Sequence, residues 1–282
     1  MVRRGRFSVR TLGPEDVGTA LRCVERDPVV NVFVDHRLRS TRLERRLLGG
    51  EIWGYFRDDD LLSLCHVGAN LVLVNADEDA ALAFARTTLD RRPHVATMVG
   101  PRAAIETFWG AVQHDWWPPQ DLRWDQPHLE IRTEPLVGPD PKVQRTTSDQ
   151  LEDLYPACVA MYREEVGTSP EIDGGRTLYR QRVAGLVDRG WSFSRIENGQ
   201  VLFKAEVACA SPYAAQIQGV YVAPEFRNQG LATAGIAAVV NEIRAGIAPV
   251  ASLYLNAHNV PARRAYEKAG FRQTATFSTL MF

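Results

Sequence analysis

The chain has 282 residues, 45% hydrophobic and 24% charged, which leaves room for two ordinary globular domains or one large one and excludes a disordered or fibrous chain. The net charge of -1 excludes a global basic field that would gather nucleic acid. The basic start, MetValArgArgGlyArgPhe, is not followed by an apolar run long enough for a secretory signal or a membrane span. Cys23, Cys65, Cys158 and Cys209 lie far apart in apolar surroundings without metal-ligand spacing, so they read as reduced core thiols and point to the cytosol.

In the first half, residues 9–12 suggest a strand, and Pro14, Glu15 and Asp16 open a helix with acidic residues at its positive end. Residues 29–48 read as one helix with a basic face from Arg37, Arg39, Arg42, Arg45 and Arg46, either solvated or a stripe for an anionic partner. Two apolar runs, 50–56 and 61–67, flank Asp58–Asp60 and read as a hairpin, because an Asp-rich turn without further ligands is no metal loop. Residues 71–74 suggest a strand and 77–89 a helix capped by Asp77. A strand at 95–99, a helix at 102–114 and a last strand at 128–132 follow. Pro135–Pro141 is rich in Pro and Gly and reads as a linker between domains 1–134 and 142–282.

The second half starts with a strand at 142–145. A helix capped by Ser148 follows, with an apolar stripe through Leu151, Leu154, Cys158 and Met161 to Val166. After a break at 164–170, a helix spans 177–189. The hairpin 191–208 turns on Asn198-Gly199, and a strand at 213–222 follows. The chain is organised around 218–232, GlnGlyValTyrValAlaProGluPheArgAsnGlnGlyLeuAla: strand, Pro-bearing loop, then a helix entered through small residues. That geometry turns several unpaired N–H groups and the helix dipole on one spot, where an anion is favoured. A further strand and a helix opened by Pro261 and closed by Gly270 lead to 274–282, which alternates as a closing edge strand.

The order ArgXXGlyXAla at Arg227–Ala232, behind ValTyrValAlaProGlu, resembles the acetyl-CoA pyrophosphate loop of the GCN5-related N-acetyltransferases (the GNAT family). Asn259, Pro261, Ala262, Arg263, Ala265, Tyr266, Lys268, Gly270 and Phe271 match the family's second signature, 29 residues from Gly230 to Asn259. The resemblance covers 142–282 by motif and 1–134 by element order alone. It implies an α+β fold: a C-terminal GNAT domain with a mixed sheet flanked by helices, preceded by a degenerate GNAT-like α/β domain in tandem. The pairing resembles an actinobacterial group of GNAT proteins with an extra N-terminal domain. The first copy carries AsnAlaAspGluAspAlaAla where the second has its glycine loop, so like charges oppose a pyrophosphate there.

By resemblance the cofactor is acetyl-CoA. Its pantetheine arm pairs with the main chain of Val220 and Val222. Its pyrophosphate takes N–H groups from Asn228, Gln229, Gly230, Leu231, Ala232 and Thr233 beside Arg227, and Asn259 and Tyr266 complete the site. Tyr266 is the candidate general acid. Acceptor contacts fall near Tyr162, Glu164, Glu165, Ser169 and Gln216. Several of the family's enzymes carry a glutamate where Gln216 stands, and an amide accepts no proton at neutral pH. Glu206 on the preceding strand is the nearest carboxylate, and a water chain is the other route. The expected activity is direct transfer of an acetyl group to an amine of a small molecule or protein. The alternatives are an inert acyl-CoA sensor and an interaction protein using the Arg-rich helix. No metal, nucleic acid or membrane partner is expected, and the chain is expected to be a monomer or a homodimer through its C-terminal edge strand.

Overall fold

The computed structural model describes residues 6–282; the basic start at 1–5 lies outside it. In chain order the elements are β1 (Phe7–Thr11), α1 (Val17–Val24), α2 (Val32–Thr41), α3 (Arg45–Leu48), β2 (Glu51–Arg57), β3 (Asp60–Val67), β4 (Asn70–Val74), α4 (Glu78–Arg91), β5 (Thr97–Pro101), α5 (Arg102–Val112) and β6 (Asp121–Ile131). Without a counterpart of the short α3, the same succession then recurs as β7 (Gln144–Arg145), α6 (Leu151–Val166), α7 (Arg176–Asp188), β8 (Ser192–Glu197), β9 (Gln200–Ala210), β10 (Ala214–Val222), α8 (Leu231–Gly246), β11 (Val250–Tyr254), α9 (Val260–Ala269) and β12 (Arg272–Met281).

Two compact units result. The first holds the chain to His128 together with Tyr254–His258 and Gln273–Phe282; the second holds Leu129–Leu253 and Asn259–Arg272. This departs from a division into 1–134 and 142–282, because the last strand belongs to the first unit. There β12 runs antiparallel to β5, from Phe277 opposite Pro101 to Met281 opposite Thr97. On its other side the Ser278 hydroxyl donates to Trp124 O (2.6 Å) and the Gln120 amide donates to Met281 O (2.7 Å). The C-terminal strand is therefore interior, with Leu280 fully buried among Trp53, Phe84, Met98 and Phe108, and it is no edge for a homodimer.

In the first unit β1 to β4 form an antiparallel meander, and β4 then pairs in parallel with β5 over Asn70–Val72. Asp58, at φ 53°, turns the β2–β3 hairpin where the aspartates are. The expected helix over 29–48 is broken. Arg42 and Leu43 take left-handed φ values of 49° and 60°, which drops Leu43 into the core beside Leu38 and Leu48. Three of the five arginines of the basic face are spent internally. Arg39 pairs with Asp35 (2.6 Å) and Glu25 (2.7 Å), Arg45 pairs with Glu51 (2.9 Å), and the Arg37 guanidinium donates to Leu48 O. At the start of α4 the Asp77 carboxylate accepts from the Ala80 amide (2.9 Å), so a side-chain anion fills that helix N-terminus.

In the second unit β7, β8, β9 and β10 are antiparallel neighbours and β10 runs parallel to β11. The first strand is only Gln144–Arg145, shorter than expected, and the cap before α6 is Thr147 rather than Ser148: its amide donates to Gln150 Oε1 (3.1 Å). Asn198 and Gly199, at φ 52° and 76°, make the hairpin turn as expected. The Pro/Gly-rich stretch 135–141 is no free tether. The Leu136 amide donates to Ala269 O (2.9 Å) and the Asp140 amide to Ala234 O (3.0 Å), while the buried Asp140 carboxylate takes Arg195 (2.9 Å). No helix among the described residues is long and apolar enough to cross a membrane.

Candidate active site

β10 and β11 begin as parallel neighbours and part. Their ladder runs only from Ala214 opposite Val250 to Gln216 opposite Ser252, so Ile217–Val222 extends beyond it. On the β9 side β10 has two irregularities, at Gln216/Ile217 and between Gln218 and Tyr221. Gly219, at φ 59°, lies inside the second. Both leave main chain outside a regular ladder, including that of Val220.

The chain then enters α8 through Asn228 (φ 62°) and Gly230 (φ 81°), left-handed positions that asparagine and glycine tolerate best. A Cβ on Gly230 would meet no atom within 4 Å, so the space in front of it is open. Thr233 and Ala234 amides fold back on Gly230 O (3.0 and 3.1 Å), which withdraws the Thr233 amide from the donors expected of the loop. Among the described residues the amides of Asn228, Gln229, Gly230, Leu231 and Ala232 make no hydrogen bond, and with the helix dipole they form a ready anion site.

Arg227 is committed to the protein. Its Nε donates to Val222 O (3.0 Å), its Nη2 reaches both Glu164 oxygens (2.9 and 2.7 Å), and it lies 5.7 Å over the Tyr221 ring. Structure therefore brings Arg227 and Glu164 together and ties α6 to the loop. Beside them, Tyr162 packs edge-on against Tyr179 at 5.5 Å, and Ser169 Oγ accepts from Arg163 (3.1 Å) and from the Glu171 amide (3.3 Å). Asn259 is exposed and caps α9, its Oδ1 accepting from the Ala262 amide (3.2 Å). Gly270, at φ 112°, ends that helix.

Tyr266 is buried against Phe271, at 6.0 Å between rings. Burial, with Glu165 adding to it, pushes its phenol well above the ordinary tyrosine range. It stays a neutral O–H donor at neutral pH, as a general acid for a thiolate needs.

The sequence reading missed a buried charged cluster beneath the bulge. Lys204 and Glu206, two apart on β9, share a face, and Lys204 Nζ donates to Glu206 Oε2 (3.1 Å) with the lysine side chain fully enclosed. Gln218 donates to Glu206 Oε1 (2.8 Å) and Arg182 stands 3.6 Å from it. Burial pushes the Lys204 ammonium down, but Glu206 and Cys158 outweigh it and hold it above the ordinary lysine range. Glu206 thus faces inward. Gln216 sits opposite Cys209 and Gln218 opposite Glu206, so Gln218 and not Gln216 is the residue of β10 that reaches this cluster. The usable signal was LysAlaGlu inside an otherwise apolar strand, which puts both charges on one face.

The four cysteines are free and buried, and no group of metal-ligating residues occurs among the described residues. A strand splayed from its neighbour, followed by a glycine-opened helix with bare amides, is a geometry that can receive an anion such as a phosphate group. Residues 180–271 match the acetyltransferase (GNAT) family model, and 50–154 match a domain of unknown function (DUF4081). No curated protein matches the sequence. Among solved structures, a GCN5-related N-acetyltransferase from Sphaerobacter thermophilus is 17% identical with a TM-score of 0.62, covering 100% of this chain and 96% of that one. A GNAT-family acetyltransferase from Colwellia psychrerythraea is 16% identical at TM-score 0.57, over 98% and 99% of the two chains. A tandem GNAT protein from the clavulanic acid biosynthesis pathway is 13% identical at 0.56, over 98% of each. Residues 180–271 thus carry a GNAT domain, of a family within the acyltransferase class of enzymes, and the chain has a tandem GNAT-like fold.

Proposed function

We propose that the second unit transfers an acetyl group from acetyl-CoA to an amine of a small molecule or protein, by direct attack in a ternary complex. The observation that carries this reading is the coincidence of a splayed β10 with bare amides from Asn228 to Ala232 at the start of α8. Val220 and Val222 offer main chain to the pantetheine arm, and the loop amides receive the pyrophosphate. Asn259, its Oδ1 spent on the cap, offers its amide N–H groups. Acetyl-CoA supplies the activated acyl group. Tyr266 holds a proton and gives it to the sulfur as the carbon–sulfur bond breaks. Tyr162, Glu164, Glu165 and Ser169 line the acceptor side.

The amine's proton goes to water in this reading. Glu206 compensates a buried ammonium, and neutralising it would leave Lys204 enclosed and unpaired. Gln216 accepts no proton. The first unit does not take CoA at the equivalent place, because the Asp77 carboxylate fills the start of α4. A second reading, an inert acyl-CoA sensor, is favoured by the same engagement of Glu206.

Calorimetric titration with acetyl-CoA, wild type beside Gly230→Glu, tests the reading. The added carboxylate enters the anion site, so binding by the wild type alone is expected. Failure of both proteins to bind sinks enzyme and sensor together, and binding that survives the substitution puts the cofactor elsewhere. A screen of amine acceptors for thiol release then separates enzyme from sensor.

A further inference from the structure

The linker stretch and the C-terminal turns of α8 border an open cleft of about 490 Å³, lined by Glu134, Pro135, Val137, Pro139, Asn241, Arg244 and Ala245. Its wall is fixed at both ends, by the Leu136 amide on Ala269 O and the Asp140 amide on Ala234 O, and the buried Asp140 carboxylate is held by Arg195. A Pro-rich strap pinned this way is a built surface, and the volume lies in the range of small-molecule sites, about 300–1,000 Å³.

Arg244 is the unusual group. Its Nε is buried without a hydrogen-bond partner, and among the described residues its guanidinium makes no ion pair. A buried N–H donor with nothing to donate to is costly unless an acceptor arrives. Glu134 lines the same cleft and also has no ion pair among the described residues. A carboxylate suits Arg244 in a bidentate pair, whereas a phosphate dianion would be repelled by Glu134. An ammonium on the same ligand suits Glu134.

We propose that this cleft binds a small zwitterion, a free α-amino acid, with its carboxylate on Arg244 and its ammonium on Glu134. The cleft lies at the opposite end of α8 from the bare loop amides, roughly 20 Å along the helix at about 1.5 Å per residue. The inference therefore does not depend on acetyl-CoA binding.

The test is thermal unfolding and calorimetry of the full chain with each proteinogenic amino acid at millimolar concentration, beside acetate and inorganic phosphate. At least one amino acid is expected to raise the Tm of the wild type. Arg244→Met is expected to weaken that ligand by about tenfold or more. Glu134→Gln, at an exposed position, is expected to weaken amino acids but not acetate, which keeps the test valid should Arg244→Met fail to fold. Gly230→Glu is expected to retain amino-acid binding, so failure here is distinct from failure at the acetyl-CoA site. No response to any amino acid, a response untouched by both cleft variants, or a response to phosphate alone overturns the proposal.

Discussion

Lys204 shows how one buried charge shapes the strand above it. The ammonium is enclosed, and Glu206 compensates it at 3.1 Å. Gly219 makes room: a Cβ there would stand 3.1 Å from Glu206 Cδ and 3.2 Å from Lys204 Nζ, on a backbone at φ 59° that disfavours any side chain. Removing one partner strands the other in a low-dielectric interior, while removing both leaves a nearly apolar core. Lys204→Met and Glu206→Gln are each expected to cost about 3–5 kcal/mol, and the double variant much less than their sum. Urea unfolding of the four proteins checks this. Additive losses would mean that the two groups do not compensate each other. The ion pair was readable as a pattern, LysAlaGlu on one strand face, but its burial was not, because burial depends on α6 and α7 closing over it.

At the scale of the element, α8 must lie close to the sheet for its first turn to meet the end of β10. Gly235 allows it: a Cβ there would come within 2.7 Å of the fully buried Phe203 ring. Gly235→Ala improves helix propensity by up to about 1 kcal/mol, yet overpacking against a rigid ring costs about 1–3 kcal/mol. A net loss of stability by denaturant unfolding is expected, with weaker acetyl-CoA binding as α8 is pushed off the sheet; a gain in stability would show that the helix is not held this close. The strand, loop and helix around Gly230 were legible because the motif is local: the glycine, the asparagine and the small residues each answer a backbone need within a few positions. The break at Arg42-Leu43 was not legible. Neither residue favours φ values of 49° and 60°, and the gain is a long-range one, Leu43 reaching the core with Leu38 and Leu48.

For the whole molecule, a proline-rich stretch does not by itself mark which strands belong to which unit. Composition marks a segment without regular structure, and 135–141 is one, but composition carries no information about which strand pairs with which. β12 alternates apolar and polar residues as a closing edge strand would, yet its partner is β5, far earlier in the chain. It buries Leu280 in the core of the first unit, and its hydroxyls at Ser278 and Thr279 bond to Trp124 O (2.6 Å) and Gln126 Oε1 (2.5 Å). A fragment of residues 142–282 therefore carries a strand without its partner, with both ladder edges and an apolar face bare. Such a fragment is expected to associate or precipitate. Conversely, the full chain stopped after Arg272 is expected to lose stability in its first unit, by at least the roughly 2–5 kcal/mol that removal of one buried leucine costs. Size-exclusion chromatography and thermal unfolding of the fragment, the shortened chain and the full chain check both statements. A monomeric 142–282 fragment that melts cooperatively would mean that β12 does not need β5, and the boundary read from composition would then be the working one.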